Sequence, residues 1–172
     1  MDWKMARIMN MDKVPYPVPA SIVCAEDLER GLVVEIVGQA DNNIWVDGAD
    51  NEAYEVQLAS ADSERGKILI HTSVPFSYDE RDTERDFVLK AGEVGRGHYL
   101  NVGDEYTVAT DLISGDVEVG AEIGLAADGE YTVVAAAVAG QAEEGAAEAV
   151  VIGEVTKVYN WNGQASVRIR IK

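Results

Sequence analysis

Three side chains in this sequence have the chemistry of a nucleophile and its base: Cys24, His71 and His98. Nucleophilic catalysis needs a base within hydrogen-bond reach of the attacking group. Cys24 lies inside the apolar run SIVCA, His71 closes KILIH and His98 opens HYLNV, so no two of them share a local motif. There is no GxSxG elbow. The expectation is a buried thiol acting as a small hydrophobe, with no second cysteine to pair with, and two structural or solvent-facing histidines. One Cys and two distant His also lack the close spacing of a zinc site. Asp41, Asp47 and Asp50 with Asn42, Asn43 and Asn51 offer calcium-type oxygens, but without EF-hand spacing they read as an Asx-rich turn. Carboxylate pairs of the glycosidase kind are so abundant here that their presence carries no information. GEVGRG, Gly92 to Gly97, is followed by His98 and Tyr99 where a phosphate loop needs Lys and Ser or Thr, so its glycines read as turn glycines. No catalytic residue, metal ligand or cofactor is expected. Trp45 and Trp161, each in an Asn-rich turn, are candidate surface contacts, and the alternative is that each folds back as a lid on the end of a barrel.

The elements that must carry these residues are strands. In SGDVEVGAEIGL, Ser114 to Leu125, apolar residues fall on every second position (Val117, Val119, Ala121, Ile123, Leu125), with acids and glycines between. Strand side chains alternate between faces, so the stretch reads as one strand with a dry and an acidic side. ASVRIRIK repeats the pattern with opposite charge: Val167, Ile169 and Ile171 inward, Arg168, Arg170 and Lys172 outward. The two segments are expected in one sheet, where facing unlike charges contribute a few tenths to ~1 kcal/mol per pair. SIVCA, LVVEIVG, AYEVQLA, KILIH, EYTVATDLI and VVIGEVTKVY read as further strands, AYEVQLA and KILIH as a hairpin. Gly103-Asp104, Asp128-Gly129 and Asn162-Gly163 mark turns. Residues 77–86 read as an exposed charged loop and 135–149, interrupted by Gly140 and Gly145, as a mobile one. The expected fold is all-β, a single β-barrel or β-sandwich of roughly ten short strands.

The 172 residues carry 14 Lys and Arg against 31 Asp and Glu, a formal net charge of -17. Affinity for nucleic acid comes chiefly from cations that neutralise phosphates, so that ligand is disfavoured, as are anionic membranes. No Lys or Arg occurs between Arg96 and Lys157. That acidic stretch reads either as a solubilising surface or as a face shaped for a basic partner. The start, MDWKMARIMNMDK, lacks the apolar centre of a signal peptide, and the expectation is a protein made in a reducing cytoplasm.

Pro15, Pro17 and Pro19 in VPYPVPA enforce an extended chain. Residues 1–19 therefore read as an extended N-terminal arm leading into a body over 20–172. Trp3 and the methionines of the arm are either a frayed end or an arm lying on a partner. Its candidate contact residues are Trp3, Met5, Arg7, Ile8, Pro15, Tyr16 and Pro17.

CAEDLERGLVVEIVG, LNVGDEYTVATDLISGDVEVGAEIGLAADGEY and VVIGEVTKVYNWNGQASVRIRIK together resemble the head decoration, or capsid cement, proteins of tailed bacteriophages. Against that pattern, Gln39 to Asp86 reads as extra material, an insertion. The resemblance implies a non-catalytic protein on the outer surface of the virion capsid, with the major capsid protein of the same virus as partner. It also implies a homo-oligomer, most often a trimer, and an extended amino-terminal arm. A variant lacking 1–19 is then expected to fold normally and bind shells poorly. The alternative from another class is a receptor- or carbohydrate-binding module of a phage fibre or surface protein, reading its ligand with Trp45, Trp161 and Tyr99. A small β-barrel enzyme is the third reading.

Overall fold

The computed structural model describes residues 9–40, 53–74, 87–134 and 150–172. Its strands are β1 (Met9–Lys13), β2 (Pro19–Cys24), β3 (Leu28–Glu29), β4 (Val33–Gln39), β5 (Ala53–Leu58), β6 (Ile68–His71) and β7 (Val88–Leu89). They continue as β8 (Val94–Tyr99), β9 (Glu105–Ala109), β10 (Ile113–Ser114), β11 (Glu122–Leu125), β12 (Tyr131–Val134), β13 (Val151–Trp161) and β14 (Gln164–Ile171). Helix among the described residues is limited to three 3-10 turns. The chain is all-β, with fourteen described strands rather than about ten because β3, β7 and β10 are only two residues long.

The strands form two bodies and a two-stranded sheet, β3-β7, whose Leu28 and Leu89 join the barrel core. β2-β5-β4-β6-β8 close a five-stranded barrel, and β1-β9-β14-β13-β11-β12-β10 make a seven-stranded sheet. One wall serves both. Val34 and Leu69 point into the barrel with Ile22, Leu28, Val56 and Leu89. Their neighbours Val33, Ile68 and Ile70 point the other way, onto Tyr106, Val108, Ile123, Val155, Val167, Ile169 and Ile171 of the large sheet. Alternation puts successive side chains on opposite faces, so β6, covered on both sides, is buried at every residue.

The barrel is strung between two neighbours. β1 and β9 pair antiparallel, yet the whole barrel lies between them in sequence. The outgoing link, 14–18, and the returning link, 100–104, run together, with the Tyr99 N–H donating to the Val18 carbonyl at 3.1 Å. Of the residues read as an arm, 9–13 form β1, 14–18 form the link and Pro19 opens β2, while 1–8 lie outside the described residues. Pro19 stands at the first position of its strand, where its missing N–H is tolerated. Within 39–86, β5 and β6 supply two of the five barrel strands. The loops expected at 77–86 and 135–149 lie outside the described residues.

Several expectations are corrected. Ser114 to Leu125 is not one strand: β10 stops at Ser114, Gly115 and Gly120 take φ of 99° and 91°, and β11 starts at Glu122. Val119, expected to face inward, is 67% exposed. β11 and β14 do share a sheet, but β13 lies between them. AYEVQLA and KILIH are not a hairpin, because β4 is inserted between β5 and β6. The Gly103 turn joins strands of different bodies. GEVGRG is mostly strand β8, where only Gly92 is a turn glycine at φ 78°. A Cβ on Gly95 would come within 2.3 Å of the Leu89 side chain. Asp128-Gly129 and Asn162-Gly163 are the hairpin turns expected, closing β11–β12 and β13–β14 with positive φ at all four residues.

Candidate functional site

The face of the large sheet turned away from the barrel carries its polar side chains, and two bulges decide which ones reach it. In β13, Val155 pairs with Ile169 and Lys157 with Arg168, leaving Thr156 as the extra residue. Val155, Lys157, Tyr159 and Trp161 have the same parity in sequence, so a regular strand would put all four on one face. The bulge reverses the parity, as an unpaired residue must. Val155 stays in the core while Lys157, Tyr159 and Trp161 turn outward beside Arg168, Ser166 and Gln164. In β1 the extra residue is Asp12, which lets both Asp12 and Lys13 reach the outer face.

Charges alternate across β1, β9, β14 and β13 on this face, and Lys172 bridges the facing carboxylates of Glu154 on β13 and Glu122 on β11. Lys13 Nζ meets Glu105 at 3.3 Å, and Glu105 accepts from Arg170 at 2.8 Å. Arg170 faces Glu154 at 3.8 Å, Lys172 lies 2.9 Å from Glu154, and Lys172 reaches Glu122 at 3.1 Å. The two segments expected to face each other are separated by β13, and their one unlike-charge contact among the described residues is Lys172 reaching past it to Glu122. The exposed pairs contribute at most about 1 kcal/mol each. Glu105 is different, since its side chain is only 4% exposed. Its hydrogen bond from Arg170 holds its carboxyl below the ordinary carboxylate range against the opposing effect of burial.

Nearer the Asn162-Gly163 turn the ladder gives way to a hydroxyl chain and two rings. Asp12 accepts from Arg168 at 2.8 Å and from the hydroxyl of Thr107. Because Thr107 donates to that carboxylate, the Tyr159 hydroxyl, 2.7 Å away, donates to Thr107. Lys157 Nζ sits 4.4 Å from the centre of the Tyr159 ring, and Trp161 meets that ring edge-on at 6.1 Å. On this face Lys157 is the cation with no carboxylate within ion-pair distance among the described residues.

The residues singled out from sequence are distributed as follows. Trp3, Met5, Arg7, Ile8 and Trp45 lie outside the described residues, as do the Asx candidates between 41 and 51. Pro15, Tyr16 and Pro17 are exposed on the outgoing link, Tyr16 at 84%. Trp161 is half-buried against Tyr159 on the large sheet, whereas Tyr99 packs on the barrel core, so the two belong to different bodies. Lys157, Tyr159, Thr107 and Asp12 were not singled out. The signal for the first two was the alternation of Lys157, Tyr159 and Trp161, which is indistinguishable in sequence from an inward row.

The nucleophile and base candidates are each committed elsewhere. His71 is fully buried, and its Nδ1–H donates to the Glu29 carbonyl at 2.8 Å. Burial, with the Arg30 charge adding to it, pushes its pKa down to about 4, so it is neutral. His98 Nδ1 lies 2.7 Å from the Thr72 hydroxyl. Cys24 borders a cavity of about 250 Å³ together with Glu26, Gln57 and Asp128, and neither histidine lines it. Among the described residues, no group of three or more His, Cys, Asp or Glu is placed to hold a metal ion. No described helix is long and apolar enough to cross a membrane.

No protein-family model matches the chain, and no curated protein does. Among solved structures it is similar to the N base of the head fiber protein gp8.5 of bacteriophage phi29, with a TM-score of 0.43 and 10% sequence identity. That match covers 91% of this chain and 95% of the other.

Proposed function

We propose that this chain is a non-catalytic structural protein that binds the outer surface of an assembled phage capsid and stabilises it, with the major capsid protein of the same virus as its partner. The observation that carries the reading is the disposition of polar chemistry over an all-β body. The two histidines sit inside, tied to a backbone carbonyl and a hydroxyl, while the large sheet presents an extended outer face of cross-linked charges. Such a body recognises surfaces. The sequence resemblance to capsid cement proteins supplies the class of surface, and a shell is reinforced by a ligand that binds its assembled state and not its free subunits. Several copies acting together on a repetitive shell would sum modest contacts.

The test is to mix the purified protein with mature and immature shells, sediment them and image what attaches. Saturable binding to mature shells that raises their disruption temperature is the expected result. Absence of the protein from both kinds of shell would sink the proposal.

A second reading is favoured by one observation, the Tyr159–Trp161 pair beside Lys157 near a hairpin tip, which suits an anionic sugar. Glycan-array binding that disappears in Trp161→Ala would select the fibre or receptor-binding module instead.

A further inference from the structure

Strand β13 is longer than the neighbour that covers it. On one side β14 pairs with it from Gly153 to Trp161. On the other side β11 pairs only with residues between Val151 and Glu154, and the 115–121 loop adds two bonds at Val155: Gly120 N–H to its carbonyl at 2.8 Å and its own N–H to the Ala121 carbonyl at 2.9 Å. From Thr156 to Trp161, no described residue hydrogen-bonds to the side of β13 away from β14. Among the described residues this edge is open, and the unpaired N–H and C=O groups of such an edge are a template for another strand.

Among the described residues, the edge at β1 and this part of β13 are treated differently. β1 interrupts its own edge with the bulge at Asp12 and spends that carboxylate on Arg168. Bulges of this kind deter edge pairing. The β13 edge has its bulge at the start and runs regularly afterwards through Lys157, Val158, Tyr159, Asn160 and Trp161. It has no proline and one charge. Val158 is 45% exposed, and Tyr159 and Trp161 are half-buried.

We infer that this edge pairs antiparallel with the same edge of a second copy, joining two large sheets across a two-fold axis. The occupant follows from self-complementarity. Residues directly opposite in an antiparallel pair share a face. A two-fold axis through Tyr159 places Lys157 of each copy opposite Trp161 of the other, and an axis through Val158 places it opposite Tyr159. In both registers Lys157, which has no carboxylate partner among the described residues, meets an aromatic ring of the second copy, a favourable contact made twice. An isologous contact of this form closes on itself and yields a pair. It goes beyond the capsid-binding proposal, does not depend on a shell, and departs from the three-fold arrangement that the family resemblance implies.

The experiment is sedimentation equilibrium over a range of protein concentrations, combined with amide hydrogen exchange at low and high concentration. Wild-type protein is compared with Val158→Lys, which sets like charges along the edge, and with Lys157→Ala. Thermal unfolding of each variant at low concentration checks that its fold is kept. The expected result is a monomer–dimer equilibrium with concentration-dependent protection of amides within 157–161. Dimerisation should weaken by about tenfold or more in Val158→Lys and by less in Lys157→Ala. A monomer at every concentration would overturn the inference. So would a dimer or trimer whose 157–161 amides exchange as in the monomer, or an association that Val158→Lys leaves intact. Protection appearing only when shells are added would give the edge to the shell, and the second copy would be ruled out as its occupant.

Discussion

Asp12 and Arg168 stand 2.8 Å apart, an ion pair that joins the first described strand to the last across β9. The Asp12 side chain is 7% exposed, and it also accepts the hydroxyl of Thr107, itself fully buried. Replacing it by Ala leaves a guanidinium and a hydroxyl short of an acceptor. Asp12→Ala should therefore cost about 2–3 kcal/mol. Urea denaturation measures the loss, and hydrogen exchange should show faster exchange in β1 than elsewhere. Unchanged stability would mean that the pair is solvated.

The arm truncation must be drawn to respect β1. Removing residues 1–8 leaves every described contact of Asp12 and Lys13 in place, so that variant should unfold at the wild-type midpoint. Removing 1–13 strips β9 of its outer neighbour and leaves Glu105 without Lys13, so it should lose several kcal/mol. The loss of 1–19, expected to leave folding normal while weakening shell binding, falls in the second class. Comparing the two truncations by thermal unfolding separates an arm from a strand.

Acid should weaken the fold before any carboxylate effect dominates. His71 has an ordinary value of 6.5 and a folded value of about 4. Its folded value is depressed, so the unfolded state takes the proton first as pH falls. Stability is complete above about 6.5 and declines down to about 4, by up to about 3 kcal/mol. Glu105, held below its ordinary 4.5, adds a further loss as pH falls through its own folded value. Stability against pH for wild type and His71→Gln should differ in slope between pH 4 and 6.5, the variant being flatter.

Gly129 is the point where the β11–β12 hairpin docks on the barrel. Its N–H donates to the Ala59 carbonyl at 2.8 Å, its φ is 72°, and a Cβ there would approach the Val33 carbonyl oxygen to 2.4 Å. The obstacle is backbone, which cannot rotate aside. Gly129→Ala should destabilise by about 1–3 kcal/mol, while Gly163→Ala, also at positive φ but in open space, should cost about 1 kcal/mol. Equal effects would show that only the dihedral matters.

What was legible in the sequence was local. Alternation in ASVRIRIK located β14 and its faces, and the two hairpin turns were readable because positive φ at consecutive residues needs Asn, Asp or Gly. What was not legible was partnership. Nothing in AYEVQLA and KILIH says that β4 will stand between them, since that choice depends on the shared wall of Val33, Val34, Ile68, Leu69 and Ile70. Alternation also misled once and was silent once. Val119 keeps the period of Ile123 but follows a glycine-broken loop to the surface. Trp161 keeps the period of Val155 but lies beyond the bulge, so the outer face had no signature that distinguishes it from a core row.

The stringing of the barrel between β1 and β9 has a consequence for the order in which the molecule assembles. β1 is made before the barrel, yet its hydrogen-bonding neighbour β9 is separated from it by that whole barrel, and its ion-pair partner Arg168 follows later still. Closing so long a loop is entropically costly until the barrel has shortened it by folding. β1 is therefore among the last of the described strands to dock, and until then β9 offers its bare edge to any neighbouring chain.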